Sequence, residues 1–191
     1  MVTQRTRPEP GYWTYADLEA LPDDGRRYEI VEGVLWEMTA PTWEHGAAVL
    51  NLIALLLPYV RAVGGTMRTA PQDVFFPGAD PVQPDIFAVL PGNPGQAGQR
   101  GFVGAPDLVV EVLSPSTRGR DALTKRSLYA QAGVKEYWLV DAEARSIEVL
   151  VLDGGVLHSF LVAAGDDTVR SRLLPSIAFP ASDAFGESEL A

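Results

Sequence analysis

Hydrophobic and polar positions divide the chain into short extended runs separated by two longer helical patterns. The run at residues 104–115, GAPDLVVEVLSP, is the extended stretch that the rest of the chain serves. Leu108, Val109, Val110, Val112 and Leu113 follow Gly-Ala-Pro and end before Ser-Pro, which predicts a strand from the middle of a sheet. Two acids interrupt it, Asp107 at its mouth and Glu111 near its end. A carboxylate in a strand that is apolar on both faces is costly unless it is paired or holds a cation.

The other elements arrange themselves around that strand. Residues 1–13 hold little that is apolar and predict a loose tail. Thr14 suits the cap of a short helix through Leu21, ended by Pro22. Residues 27–32 and 34–38 predict a β-hairpin pivoting on Glu32-Gly33. Thr42 caps the main helix, about residues 43–63, in which Val49, Leu50, Ile53, Leu56, Leu57 and Val60 form an apolar face for packing on a sheet. Pro58 predicts a kink or an earlier end, and Gly64-Gly65 the stop. Residues 66–76 and 82–90 are extended. Gly92, Gly95, Gly98, Gly101 and Gly104 then recur at every third position. So short a tract cannot form a triple helix, and no strand leads directly into a helix as a dinucleotide loop requires. A mobile surface loop is expected, placed beside two acidic strands as a candidate lid. A helix over about 120–132 closes at Gly133, and residues 135–141, 147–152 and 156–162 predict a β-meander turning at Gly154-Gly155. The pattern is α+β: one domain over residues 14–180 with a central mixed sheet flanked by helices, an N-terminal hairpin, a C-terminal meander and an acidic tail at 181–191.

Composition narrows the chemistry. The 191 residues are 47% hydrophobic and 21% charged, enough for one domain with a real core. The absence of cysteine excludes disulfides, thiolate metal sites and cysteine nucleophiles. A net charge of −10 argues against a broad electrostatic surface for nucleic acid. No apolar leader opens the chain, so a cytoplasmic location is expected. The apolar stretch at 49–63 is broken by Asn51, Pro58 and Arg61, and no membrane span is expected.

Asp85 follows Pro84 in the strand before the opening one, and consecutive strands usually neighbour each other. Asp85 and Glu111 can then face one another, a pair of oxygen ligands of the kind Mg²⁺ takes. Asp107 shares a strand face with Glu111 but lies roughly 13 Å away at about 3.3 Å per residue, too far to chelate one ion with it. Asp121, Lys125 and Tyr129 fall on one stripe of the next helix, so Lys125 can reach the carboxylates, with Arg118 and Arg120 adding positive charge at the helix entrance. Asp121 and Lys125 equally suit an exposed i, i+4 ion pair. Glu29 alternates with Tyr28 and Ile30 as on a half-exposed strand, where it would be solvated. His45 reads as a cap-region or surface residue and His158 as structural. No G-x-S-x-G and no H-E-x-x-H is present.

The ordered set Tyr28-Glu29-Ile30-Val31-Glu32-Gly33, Glu44-His45, Gln83-Pro84-Asp85-Ile86, residues 104–116, Asp121, Lys125, Tyr129 and residues 133–141 resembles the Uma-two family, assigned to the PD-(D/E)XK endonuclease superfamily. The resemblance covers roughly residues 14–180. It implies a restriction-endonuclease-like fold and Mg²⁺-dependent hydrolysis of DNA phosphodiesters, with Mn²⁺ as a substitute. Asp85, Glu111 and the Val112 carbonyl would be the metal ligands, Lys125 the cation that orients water or neutralises charge, and Glu29 a group at the outer edge of the site. Leu113 stands where the superfamily places its lysine, and Lys125 from the next helix would replace it. A homodimer is expected from nuclease folds that cut two strands and from the exposed edges of the meander. Two rival readings remain: a catalytically degenerate scaffold or regulator, and a metal-dependent hydrolase of small phosphodiesters, for which an acidic surface is no handicap.

Overall fold

The computed structural model describes residues 3–5, 12–31, 33–38, 40–113 and 121–186. Within the stretch expected to be a tail, β1 (Thr3–Arg5) pairs antiparallel with residues 35–37. Helix α1 (Tyr15–Glu19) is closed by a capping box in which Asp17 accepts the Thr14 N–H at 2.9 Å, and it stops short of Leu21. Strands β2 (Arg27–Val31) and β3 (Val34–Met38) form the expected hairpin, and the sheet order is β1-β3-β2. Gly33 turns it at φ +74°, where a side chain would also collide with Tyr12.

Helix α2 (Trp43–Ala62) starts at Thr42, whose hydroxyl accepts the His45 N–H at 3.2 Å. It continues through Pro58 to Ala62, so the proline does not end it early. Its buried face is Ala48, Leu52, Leu56 and Val60. Leu50, expected in that face, is 67% exposed instead. Two residues carry it about 200° around the helix from Leu52, onto the opposite side. The helix has the length and composition of a membrane span, yet its buried face belongs to the main core.

The extended stretch expected at 66–76 is two strands, β4 (Thr66–Thr69) and β5 (Asp73–Phe75), divided at Ala70-Pro71. Proline cannot donate to a ladder, and the chain changes sheets there. Strand β6 (Ile86–Val89) joins β4 in the main sheet. The glycine-rich segment is not an open loop: β7 (Gln96–Ala97) and β8 (Gly101–Val103) join β5 in a small sheet ordered β5-β8-β7. Its glycines serve close approach, since a side chain at Gly101 would strike the Asp73 backbone. The remaining elements are β9 (Leu108–Leu113), α3 (Asp121–Ala132), β10 (Glu136–Asp141), β11 (Ser146–Asp153), β12 (Val156–Ala164), β13 (Thr168–Arg170), β14 (Ala178–Pro180) and a 3₁₀ turn at Ala181–Ala184.

The central sheet runs β12-β11-β10-β9-β6-β4, with β9 and β10 parallel and every other pair antiparallel. This is the mixed α+β architecture expected, with β9 in the interior. Alternation along β9 sends Leu108, Val110 and Val112 into the core under α2, and Val109 into the core under α3 with Phe87, Tyr129 and Tyr137. Both faces are covered, so any charge on β9 needs a partner from a neighbouring element.

Candidate functional site

The end of β9 is where the two helical layers and the sheet supply polar groups together. Ile86 pairs with Val110, so one further step in the β6–β9 register sets Asp85 opposite Glu111. Asp85 Oδ2 accepts the Val112 N–H at 2.8 Å, which ties the Pro84-Asp85 segment to the last residues of β9. His45, in the first turn of α2, places Nε2 3.2 Å from the same oxygen. Glu111 turns toward α3. Its Oε1 accepts the Tyr129 hydroxyl at 2.5 Å and the Lys125 ammonium at 3.2 Å. Lys125 and Tyr129 stand one helical turn apart, which is why one carboxylate oxygen meets both. Tyr129 is fully buried, and its ring packs edge-on against Tyr137 and Phe76. Glu111 and Lys125 are each 7% exposed. A buried ion pair of this kind is weak evidence for stability, because desolvation offsets its attraction.

His45 registers the field of the cluster. Burial is the largest influence on it and opposes protonation. The hydrogen bond to Asp85, the charges of Asp85 and Glu111, and the Val112 backbone act the other way, and the net pKa is raised. The groups that stabilise an imidazolium here are therefore the three that the family resemblance implies as ligands of a cation. Among the described residues no three His, Cys, Asp or Glu side chains stand together as a metal cluster. The protein donors on hand are two carboxylates and a carbonyl. Hard oxygen donors of this kind are those that divalent metals with oxygen-rich shells take.

A chain-wide family comparison decides the kinship. Residues 15–182 match the model of the Uma2 family, described as "Putative restriction endonuclease". The chain belongs to the Uma2 family. A nuclease-like function is the coarse reading that this membership supports. Among solved structures, the chain is similar to a protein from Anabaena variabilis ATCC 29413, described as a "putative nuclease belonging to DUF820". The two share 19% identity over 90% of this chain and 97% of that one, with a TM-score of 0.73, which supports the nuclease fold. No curated protein matches this chain.

The structure brings together Asp85, Glu111, Val112 and Lys125, and adds His45 and Tyr129. His45 is the residue whose position the sequence reading missed. It does lie in the cap region of α2, but its ring is turned inward onto Asp85. Its place in the Uma2 motif set, beside Glu44, was the available signal. Glu29 belongs to β2 opposite Trp36, with its side chain outside the described residues. The Asp121 side chain and residues 114–120, including Arg118 and Arg120, also lie outside them. Leu113 pairs with Asp141 in the parallel ladder. His158 is on β12, at the far edge of the sheet. Beside the Asp85 segment, Tyr15, Arg26, Tyr28, Asp73 and Gln83 line a cleft of about 300 Å³.

Proposed function

We propose that this Uma2 protein is a divalent-metal-dependent endonuclease acting on DNA, with its centre at the end of β9. The observation that carries this reading is the buried Glu111 held by Lys125 and Tyr129, opposite Asp85 one step beyond the last β6–β9 partners, in a chain of this family. Asp85, Glu111 and the Val112 carbonyl would hold Mg²⁺, with Mn²⁺ as a substitute. Once bound, the ion supplies Lewis-acid charge and a water of lowered pKa. The residues do the rest. Tyr129 fixes the orientation of Glu111, and Val112 N–H fixes Asp85. Lys125, buried beside the carboxylates, orients the attacking water and neutralises charge that develops on the phosphate oxygens. Glu29 contributes at the outer edge of the site, as the resemblance implies.

Supercoiled plasmid incubated with Mg²⁺ tests the reading. The wild-type protein nicks it and Glu111→Gln does not; equal nicking by both proteins would defeat the assignment. The net charge of −10 favours a second reading, in which the substrate is a small phosphodiester. Turnover of a chromogenic phosphodiester without plasmid nicking would select it.

A further inference from the structure

Helix α2 carries two seams. Ala48, Leu52, Leu56 and Val60 seal the core, and a second series, Trp43, Ala47, Leu50, Ala54, Leu57 and Arg61, runs along the outward side. The outward spacing alternates four and three residues throughout, the 3.5-residue repeat that keeps one helix facing another. An outward helix face is ordinarily polar. Here Trp43 is 74% exposed and Leu50 67%, Ala54 is exposed, Ala47 is half-buried, and Leu57 is half-buried with part of its side chain against the main core.

We propose that this seam is the interface of a homodimer, in which α2 pairs with α2 of a second copy in antiparallel fashion about a two-fold axis level with Leu52. The occupant follows from self-complementarity. That axis sets Leu50 against the partner's Ala54, Leu57 against the partner's Ala47, and Trp43 against the partner's Arg61. In the two inner pairs a leucine meets an alanine, so the helices approach closely there. At both ends a guanidinium meets an indole, a favourable cation–π pair. A two-fold interface must be complementary to itself, and this series meets that condition at every position. The meander is a poorer candidate. A bulge interrupts the β11–β12 pairing, and Arg126 of α3 donates to the Leu157 carbonyl on β12 at 3.1 Å, both of which blunt that edge. The pairing separates the two copies of His45 by about 21 Å along the helix axes, at roughly 1.5 Å per residue.

Sedimentation velocity on the full chain tests the proposal. The wild type sediments as a dimer, while Leu50→Glu and Ala54→Arg, both at exposed positions, sediment as monomers with unchanged circular dichroism. The chain lacks cysteine, so introduced thiols report the direction of pairing. Under oxidation, Trp43→Cys mixed with Arg61→Cys gives a cross-linked dimer and neither variant does alone, because like positions lie about 27 Å apart along the axes at roughly 1.5 Å per residue. A monomeric wild type overturns the proposal, as does a dimer indifferent to both charged substitutions. Cross-linking by each variant alone contradicts the antiparallel direction. A monomer that binds phosphatidylcholine vesicles through Leu50 assigns the face to a membrane and also overturns it.

Discussion

Asp107, immediately before β9, and Glu111, within it, are four residues apart and both almost fully buried, and their surroundings differ in kind. Asp107 is surrounded by donors from fixed structure. Its Oδ2 accepts the Leu90 N–H at 2.7 Å and the Asn93 amide at 2.8 Å, and Lys135 lies 2.7 Å from Oδ1. Glu136 is satisfied in the same way, by the Trp138 indole and the N–H groups of Arg172 and Leu173. Those acids fasten segments to the sheet. Glu111 also meets a lysine, but Lys125 is buried on α3, whereas the Lys135 side chain is 58% exposed. Lys125 shares Glu111 with a tyrosine hydroxyl of the same helix, with a second carboxylate and a histidine nearby. Burial alone therefore does not mark a working acid; the chemistry of its partners does.

The sharpest way to break this contrast is to neutralise each acid. Glu111→Gln removes nicking, by more than about 10²-fold if it contributes as a preorganised charged group usually does. Asp107→Asn leaves the turnover of folded protein unchanged and lowers the unfolding free energy measured in urea by about 1–3 kcal/mol, the usual cost of disturbing buried hydrogen-bond partners. Lys125→Met tests the cation, with an expected fall in kcat of about 10²–10³. A normal rate in that variant would reduce Lys125 to a counter-ion. Tyr129→Phe removes one hydrogen bond to Glu111 and keeps the ring, so metal affinity or activity drops by roughly 10–100-fold. Isothermal titration with Mn²⁺ separates the two effects.

The smallest effect is the pH dependence of His45. Its folded-state pKa is raised above the ordinary value of about 6.5. The stability it contributes is therefore fully present below that ordinary value and fades as pH rises through the higher folded-state one. Urea midpoints should fall across that window in the wild type, and the fall should be absent in His45→Gln. Divalent-metal affinity runs the opposite way, because a proton on His45 competes with the ion for Asp85.

Much of the fold and of the candidate site was legible in the residues. The β9 run, the meander and the hairpin follow from period-2 patterning and turn residues, and Asp85 could be set beside Glu111 because neighbouring strands tend to pair. Lys125 and Tyr129 followed from helical spacing. What escaped depends on close packing rather than pattern. Gly95 and Gly101 look like loop residues, but they permit strands to pass near Phe102 and the Asp73 backbone. Leu50 was read as core because an apolar residue on either side of α2 looks alike in sequence. His45 escaped because nothing local says which way a capped first turn will point its ring. Asp107 and Glu111 differ through partners far along the chain, which no local pattern contains.

The most direct measurement is the anomalous difference density of a crystal soaked in Mn²⁺. A peak bounded by Asp85, Glu111 and the Val112 carbonyl, lost in Glu111→Gln, is the predicted result. A soaked crystal with no peak there, and with the His45–Asp85 contact intact, would contradict a metal-dependent centre at the end of β9.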